Sequence, residues 1–294
     1  MTGTIGPSLA DATERLRAAG SPTARLDAEV LLAHVTGRNR AWVLAHPEAN
    51  LDEEAAGALR AAVERRAAGE PIAYIRGFKE WQSLRIQTDP RALIPRPETE
   101  LLAQGTMAEI AARLTRDTQP VVAWEVATGS GAVALALAIR FRSALTLGRL
   151  ALIASDTSPE ALELAAENLA AHGVASLVTL ACADLLEPAG WSLPRPDVVV
   201  ANLPYVASAE VDARQGSLGY EPRIALDGGP DGLDLLRRLL GELPIRVAPA
   251  ASVLLEIGVG QVERIEAMAP SGASVTVVPD IAGLDRVVRV GMPG

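Results

Sequence analysis

Cysteine is almost missing from this 294-residue chain, and aromatic residues make up only 3% of it. The single Cys182 can form neither an intrachain disulfide nor a cysteine-rich zinc site, so no metal centre is expected. No apolar run reaches the roughly 18–20 residues that a bilayer span needs. The N-terminus also lacks the basic stretch, apolar core and cleavage site of an export signal. These absences predict a cytoplasmic protein without a membrane partner.

An excess of basic charge is missing as well. The chain has 27 Lys and Arg against 36 Asp and Glu, which gives a formal net charge of −9. A nucleic-acid binder usually carries a basic field that releases counterions from phosphates. The acidic balance therefore disfavours nucleic acid as the direct substrate and favours a small molecule or a protein. The 49% of hydrophobic residues are enough to build a packed core. The length of 294 residues allows one large α/β domain and a small accessory one.

The first part of the chain is rich in alanine and helical in pattern. Apolar residues at helical spacing predict short helices over 8–19, 25–36 and 52–68. Aromatic and β-branched residues on both sides of Gly77 predict a β-hairpin between Ile72 and Thr88. The prolines that follow forbid a helix before Glu98. We therefore expect three parts: an N-terminal helical domain (1–70), a β-hairpin with a proline-rich linker (71–97), and a large C-terminal domain (98–294).

From Glu98 onward, predicted strands alternate with predicted helices. Helices are expected over 98–114, 131–142, 158–172 and 230–241, and strands over 121–127, 150–155, 177–183, 197–202, 252–258, 274–278 and 286–291. This alternation is typical of an α/β, doubly wound, mostly parallel sheet. The last two strands, joined by a short loop, are expected to form an antiparallel hairpin at one edge.

A glycine-rich turn follows the first strand of the large domain. The segment reads Glu125-Val-Ala-Thr-Gly-Ser-Gly131. Glycines between a strand and a helix let the backbone approach a ligand closely, and the helix N-terminus presents free N–H groups. The pattern fits a turn that binds S-adenosylmethionine, a loose dinucleotide fingerprint ending at Ala134, or an ordinary tight turn.

Acidic residues end the next two strands. In doubly wound folds, an acid in the position of Asp156 accepts hydrogen bonds from ribose hydroxyls. Asp184, at the end of the third strand, is placed to meet an adenine amino group. The alternatives are a turn residue before the Ser158 helix cap for Asp156, and a loop cap for Asp184.

The tetrapeptide Asn202-Leu203-Pro204-Tyr205 follows the fourth strand directly. Ligands in open α/β sheets bind outside the carboxyl ends of the strands, so these residues should face the ligand at the glycine turn. An amide or aromatic NH₂ group is a poor nucleophile because its lone pair is delocalised. The Asn202 side-chain oxygen and the Leu203 carbonyl can accept from its N–H groups and fix its plane. Pro204 keeps the preceding residue extended, and Tyr205 offers a flat face. An ordinary Asn-x-Pro turn with a packed tyrosine is the alternative.

Taken together, these residues resemble the release-factor glutamine N5-methyltransferase family, often called HemK or PrmC. The resemblance covers nearly the whole chain. It is carried by Leu26-Asp-Ala-Glu-Val-Leu-Leu-Ala-His34, Gly69-Glu-Pro-Ile-Ala-Tyr-Ile75, Leu93-Ile-Pro-Arg-Pro-Glu-Thr-Glu100, Glu221-Pro-Arg-Ile-Ala-Leu-Asp-Gly-Gly229, Asp231-Gly-Leu-Asp234 and Ala282-Gly-Leu-Asp-Arg-Val-Val288. The Leu93–Glu100 segment favours this family over the ribosomal-protein glutamine methyltransferases.

The resemblance implies a Rossmann-like class I methyltransferase that uses S-adenosylmethionine. Its substrate would be the glutamine of the Gly-Gly-Gln loop in class 1 peptide release factors, docked by the helical domain. The implied cofactor-binding residues are Glu125, Ala127, Thr128, Gly129, Ser130, Gly131, Asp156, Thr157, Asp184, Leu185 and Asn202. The implied catalytic and substrate-binding residues are Asn202, Leu203, Pro204 and Tyr205, with Arg96 and Glu98 also on the substrate side.

Two positions depart from the family pattern. Ala127 stands where the family usually has the first glycine of its turn, and Leu203 stands where it usually has the first of two prolines. If the first position needs a positive φ, alanine costs on the order of 1 kcal/mol there. Asn-Leu-Pro-Tyr is also the form familiar from rRNA adenine N6-dimethyltransferases.

Three other functions therefore stay open. An adenine-N6 methyltransferase acting on RNA or DNA would use the tetrapeptide from Asn202 to Tyr205 in the same way, to hold the amino group of an extruded base. A non-catalytic module that binds S-adenosylmethionine is the second, and a nicotinamide-dependent oxidoreductase is a distant third.

Overall fold

The structure, a computed structural model, describes residues 3–188, 194–214 and 216–294. These residues form two compact units. The first comprises residues 3–78 with 216–220, and the second comprises 79–188, 194–214 and 221–294. Within the described ranges, no helix has both the length and the apolar character needed to cross a membrane.

The first unit is a small helical bundle. Its helices are α1 (Ile5–Ala18), α2 (Ala24–Thr36), α3 (Arg40–Ala45), α4 (Glu53–Ala67) and α5 (Ile72–Arg76), and its two short strands are β1 (Gly3–Thr4) and β2 (Asn50–Leu51). The apolar faces of α1, α2 and α4 bury Leu16, Leu31 and Val63. Asp52 caps α4, because its side chain accepts a hydrogen bond from the Ala55 N–H. The three helices predicted here are confirmed to within a few residues, whereas α3 was not predicted.

The hairpin predicted from Ile72 is wrong for its first five residues, which form α5. The hairpin itself is shorter, with β3 at Phe78–Trp81 and β4 at Leu84–Gln87. Helix α5 ends because Gly77 takes a left-handed conformation with φ of 74°. The β-branched and aromatic residues of α5 favoured a strand in the sequence, but three of its five residues are buried in the helix. Packing here outweighs local propensity.

The second unit is built on an eight-stranded sheet. Its strands are β5 (Val121–Val126), β6 (Leu150–Asp156), β7 (Thr179–Asp184), β8 (Glu187–Pro188), β9 (Val198–Ala201), β10 (Ser252–Glu256), β11 (Ser274–Pro279) and β12 (Asp285–Gly291), in the order β11-β12-β10-β9-β5-β6-β7-β8. The five strands from β10 to β7 in this order are parallel. The chain winds outward from β5 in one direction and from β9 in the other, so the order reverses between them. A ligand crevice is expected at that reversal, outside the carboxyl ends of the strands.

Helices cover both faces of this sheet. They are α6 (Thr99–Arg116), α7 (Ala132–Arg140), α8 (Arg142–Thr146), α9 (Pro159–Ala171), α10 (Ser208–Asp212), α11 (Asp234–Arg246) and α12 (Val262–Met268). Helices α6, α7 and α9 contribute to the apolar cluster on one face, and α11 and α12 to the cluster on the other. The predicted α/β doubly wound fold is therefore confirmed.

Local differences from the sequence predictions have identifiable causes. Strand β5 ends one residue early, because Ala127 leaves the extended region. Helix α11 begins four residues later than predicted, after Gly229 and Gly232 take φ of 92° and 74°. The late hairpin is confirmed, since β11 and β12 pair antiparallel at the sheet edge. Strand β12 also pairs antiparallel with β10, which the sequence did not predict. The short helices α8, α10 and α12 were not predicted either.

Candidate active site

A cavity of about 350 Å³ opens at the carboxyl ends of the central strands. This volume lies within the range of about 300–1,000 Å³ that small-molecule sites occupy. Its lining includes these predicted site residues: Arg96, Glu125, Ala127, Thr128, Gly129, Ser130, Asp156, Thr157, Asp184, Leu185, Asn202, Leu203 and Pro204. Three predicted residues, Glu98, Gly131 and Tyr205, are not part of this lining. The structure thus brings most of the predicted site to one place.

Glu125 organises the glycine turn from beneath. Its Oε2 accepts hydrogen bonds from the Thr128 hydroxyl and from the Ala134 N–H, each at 2.8 Å. The second bond satisfies a free N–H in the first turn of α7. Burial raises the pKa of the Glu125 carboxyl to about 8. Glu125 therefore holds the strand end, the turn and the helix in one arrangement.

Asp156 closes the same turn from the neighbouring strand. Its Oδ2 accepts from the Gly129 N–H at 2.9 Å, and its Oδ1 accepts from the Ser158 N–H at 3.0 Å. Burial raises the pKa of this carboxyl. Ser158 caps α9 through a bond from the Ala161 N–H, so Asp156 does stand in the turn before a helix cap. It also lines the cavity, where its remaining lone pairs can accept from ligand hydroxyls.

Gly131 serves packing rather than the cavity. Its φ is 76°, and a Cβ built on it would lie 3.0 Å from the Ala165 Cβ. This close approach allows α7 to pack against α9. Asp184, in contrast, lines the cavity and is exposed, and its Oδ2 accepts from the Arg238 Nη2 at 2.8 Å. Arg238 lines the cavity as well, so the acid at the predicted adenine end is paired with a cation.

Ala127 has a φ of 57°, in the left-handed region. A Cβ in this region crowds the following carbonyl oxygen and costs roughly 1–2 kcal/mol, a penalty that glycine avoids. The alanine therefore carries backbone strain at the position where the family usually has glycine. Leu185, also in the cavity lining, has a φ of 54°. Strained backbone thus lies at two strand ends of the same site.

Replacing Ala127 with glycine should raise the free energy of unfolding by about 0.5–1 kcal/mol, measured by denaturant titration without ligand. The gain is partial, because the half-buried methyl group packs against the core and its loss offsets some of the relief. Ala250→Gly is the matched control, since Ala250 has a φ of 55° but is exposed and does not line the cavity. It should stabilise at least as much and leave ligand binding unchanged. If Ala127→Gly lowered the free energy of unfolding, the inferred backbone strain at Ala127 would be contradicted.

Asn202 stands directly after β9 with its side chain at the cavity. Its Nδ2 donates to the Thr99 Oγ1 at 3.2 Å. No hydrogen bond from the rest of the described chain reaches Asn202 Oδ1 or the Leu203 carbonyl oxygen. The Leu203 residue is only 2% exposed and packs in the core beside β9, which anchors the backbone that proline usually stiffens.

Tyr205 points its hydroxyl at the end of β10, where it donates to Glu256 Oε1 at 3.3 Å. Burial, followed by the nearby Glu256 charge, raises the pKa of Tyr205. The Tyr205 carbonyl oxygen accepts from the Gln261 Nε2 at 3.2 Å. This tyrosine is therefore held by its backbone and its hydroxyl. Its predicted role as a flat face against the substrate stays a prediction.

Two segments, one at 91–96 and the other at 222–225, contribute to the lining of the cavity. Buried Glu221 joins them, because it accepts from the Ile94 N–H at 3.1 Å and pairs with the Arg96 guanidinium. Arg96, predicted to meet the substrate, thus already has an internal carboxylate partner. Glu98, at the start of α6, lies close enough to Glu256 and Tyr205 to raise the pKa of both.

Several residues around the site were not predicted. They are Thr99, Glu221, Arg238, Glu256 and Gln261. Glu256 had a usable signal, because it is an acid near the end of the otherwise apolar strand predicted over 252–258. Thr99 and Glu221 also had a signal, because they lie in the family-like segments Leu93–Glu100 and Glu221–Gly229. Arg238 and Gln261 act through contacts with distant parts of the chain, which local patterns do not encode.

The doubly wound sheet, with a cavity and polar groups at the carboxyl ends of its strands, places this chain among the α/β proteins that bind ligands at that edge. Residues 8–77 match the family model of the PrmC N-terminal domain. Release factor glutamine methyltransferases of Moorella thermoacetica and Deinococcus radiodurans are 39% and 36% identical to this chain. These alignments cover 96% of both chains for the first, and 97% of this chain and 98% of its relative for the second. The chain therefore belongs to the release factor glutamine methyltransferase family.

A solved structure gives a further comparison. It is a protein-(glutamine-N5) methyltransferase, described as release factor-specific, from Alicyclobacillus acidocaldarius. This chain is 25% identical to it with a TM-score of 0.38, and the match covers 71% of this chain and 99% of the other.

Proposed function

We propose that this protein transfers a methyl group from S-adenosylmethionine to the side-chain amide nitrogen of the glutamine in the Gly-Gly-Gln loop of class 1 peptide release factors. One observation carries the proposal. Asn202 Oδ1 and the Leu203 carbonyl oxygen accept no hydrogen bond within the described chain, and both residues line the cavity. An NH₂ group has two N–H donors, which match these two acceptors.

The residues around the cavity fit S-adenosylmethionine. Gly129 and its neighbours present backbone to the ligand beside the N-terminus of α7, and Asp156 offers carboxylate oxygens for ribose hydroxyls. Asp184 and Leu185 would flank the adenine ring. When bound, the cofactor supplies an electrophilic methyl group on a sulfonium. Everything else in the reaction depends on how the protein holds the glutamine.

The proposed chemistry is a direct in-line displacement. Asn202 and Leu203 fix the plane of the amide and draw electron density toward its nitrogen through the two N–H groups. The bound cofactor would supply the methyl carbon and retain the electron pair of its carbon–sulfur bond, and the amide nitrogen would lose one proton to water. Neither acceptor is a strong base, so the protein contributes orientation and desolvation. No covalent link between protein and substrate is required.

The helical unit is proposed to dock the release factor. A glutamine loop alone offers little surface for recognition, whereas a protein substrate can contact a second unit. The match of residues 8–77 to the PrmC N-terminal domain supports this division of labour. In the same division, residues 71–97 are proposed to connect the units, and residues 98–294 to carry methyl transfer.

The decisive experiment incubates the purified protein with S-adenosylmethionine and a class 1 release factor. Mass spectrometry should find one added methyl group on the glutamine of the tripeptide, and a release factor with glutamine replaced by alanine should gain none. Ribosomal RNA is tested in parallel as acceptor, because Asn-Leu-Pro-Tyr also fits an adenine amino group. Methylation of RNA in place of the release factor would overturn the proposal, and so would cofactor binding without transfer to either.

A further inference from the structure

The two proposed acceptors of the substrate amide, Asn202 Oδ1 and the Leu203 carbonyl oxygen, form what we call the amide clamp. The buried carboxylate of Glu256 lies beside this clamp without being part of it. Strands β9 and β10 are parallel, and Ala201 is in register with Leu255. Asn202 and Glu256 are therefore the next residues on adjacent strands, at the edge where the cavity opens. Glu256 is only 1% exposed, yet it does not line the cavity. Burial of an ionised carboxylate is costly unless hydrogen bonds or opposite charges compensate it.

The oxygens of Glu256 differ in their surroundings. Oε1 accepts from the Tyr205 hydroxyl at 3.3 Å, whereas the buried Oε2 has no hydrogen-bond partner in the described residues. Burial raises the pKa of this carboxyl, while the Thr99 and Tyr205 hydroxyls and the charge of Arg286 favour its ionised form. The Thr99 hydroxyl lies near this carboxylate, but the hydrogen bonds of the described residues include none between the two.

Thr99 also contacts Asn202, and this double contact limits how its hydroxyl can be used. A threonine hydroxyl has one proton to donate, and its oxygen can also accept. If the proton is directed to Glu256, the oxygen can only accept from Asn202. Asn202 must then turn its Nδ2 to Thr99, which is the observed bond. Its Oδ1 is left for the cavity.

We propose that Glu256 and Thr99 are positioning residues that set which end of the Asn202 side-chain amide faces the substrate. The carboxylate directs the threonine proton, the threonine oxygen holds the amide NH₂, and the amide oxygen is presented to the glutamine. Tyr205 also donates to this carboxylate, and a glutamine at position 256 would keep an oxygen that can accept the same bond. The inference rests on the proposed function, because it assigns these groups to orientation of the substrate amide.

The proposed chain of contacts from Glu256 through Thr99 to Asn202 predicts the effect of replacing Glu256 with the neutral isostere glutamine. In Glu256→Gln, the new Nε2 can donate to Thr99, so the threonine proton is free to turn to Asn202. The Asn202 amide can then rotate and present its NH₂ group to the substrate NH₂ group. Two donors facing one another do not bind. We expect a loss of about 10–100-fold in activity, the magnitude found when the partners that orient metal-ligating side chains are removed.

The test uses the full-length protein and steady-state methylation of a release factor. Thr99→Val removes the hydroxyl at nearly constant shape, and Thr99→Ser keeps it. We expect kcat to fall about 10–100-fold in Thr99→Val and in Glu256→Gln, with Thr99→Ser close to the unsubstituted protein. Binding of S-adenosylmethionine, measured by calorimetry, should change little, because neither residue is assigned to the cofactor.

A double-mutant cycle separates an effect that acts through Asn202 from a nonspecific disturbance of the structure. In an Asn202→Ala background, Thr99→Val and Glu256→Gln should have almost no further effect on kcat, since both act through Asn202. Losses that multiply in this background would overturn the proposal, as would full activity of either single variant.

A protein that does not methylate the release factor at all would refute the proposed function alone. The contact between Thr99 and the Asn202 side-chain amide would then be measured from the signals of that amide by ¹⁵N NMR. Thr99→Val should shift these signals and Thr99→Ser should not. Equal signals in both variants would overturn the proposed orientation of Asn202 by Thr99.

Discussion

Replacing Asn202 with alanine is expected to lower kcat for methyl transfer by about 100- to 1,000-fold, the cost of removing one well-placed hydrogen-bonding group from a reacting centre. The substitution removes one of the two acceptors that have no donor within the described chain. The substrate amide would then keep only the Leu203 carbonyl, and rotation about that single bond would take its nitrogen out of line with the methyl group. Rapid-mixing or steady-state assays at saturating release factor measure the effect.

Asn202→Asp is the informative companion variant. It keeps an acceptor oxygen but loses the Nδ2 donor to Thr99, and it places a charge beside Glu256. We expect its activity to lie between those of the alanine variant and the unsubstituted protein. Unfolding of both variants should be measured, because a loss of fold would also lower turnover. A folded Asn202→Ala protein with unchanged kcat would refute the two-acceptor clamp.

The sheet could be predicted because its signals are local. Apolar runs with β-branched residues mark strands β5, β6, β9 and β10, and their alternation with helices fixes a parallel, doubly wound order. Ligand residues of such folds lie at strand ends, so the turn at Glu125–Gly131 and the tetrapeptide from Asn202 could be placed at one edge from sequence alone. The cavity at that edge contains most of these residues.

The orientation of the site could not be predicted in the same way. The bond from Asn202 to Thr99 joins residues 103 positions apart, and the contact of Arg96 with Glu221 joins residues 125 positions apart. Such contacts depend on which strands neighbour each other and on where α6 packs. The sequence alone also left the sign of φ at Ala127 open, because alanine is compatible with either outcome and the positive value requires tertiary support.

The second large effect is expected at Gly228, which lies in the loop behind the clamp. A Cβ built on Gly228 would lie 2.6 Å from the Pro204 carbonyl oxygen and 2.8 Å from that of Gly232. Both neighbours are backbone atoms, so neither can move away as a flexible side chain would. A hydrogen bond also fixes the distance between Gly228 and the segment after Asn202, since the Val206 carbonyl oxygen accepts from the Gly228 N–H at 2.8 Å. A methyl group at this position must push the segment after Asn202.

Gly228→Ala should therefore lower methyl transfer by about 100-fold, since a displacement near 1 Å at a reacting centre costs that much. It should also destabilise the fold by about 1–3 kcal/mol, as overpacking usually does. Gly241→Ala is the matched control, because nothing lies within 4 Å of its added Cβ and Gly241 is inside α11. That variant should be slightly more stable and fully active. If Gly228→Ala kept normal turnover, the loop at Gly228 would not be what holds Pro204 and its neighbours in position.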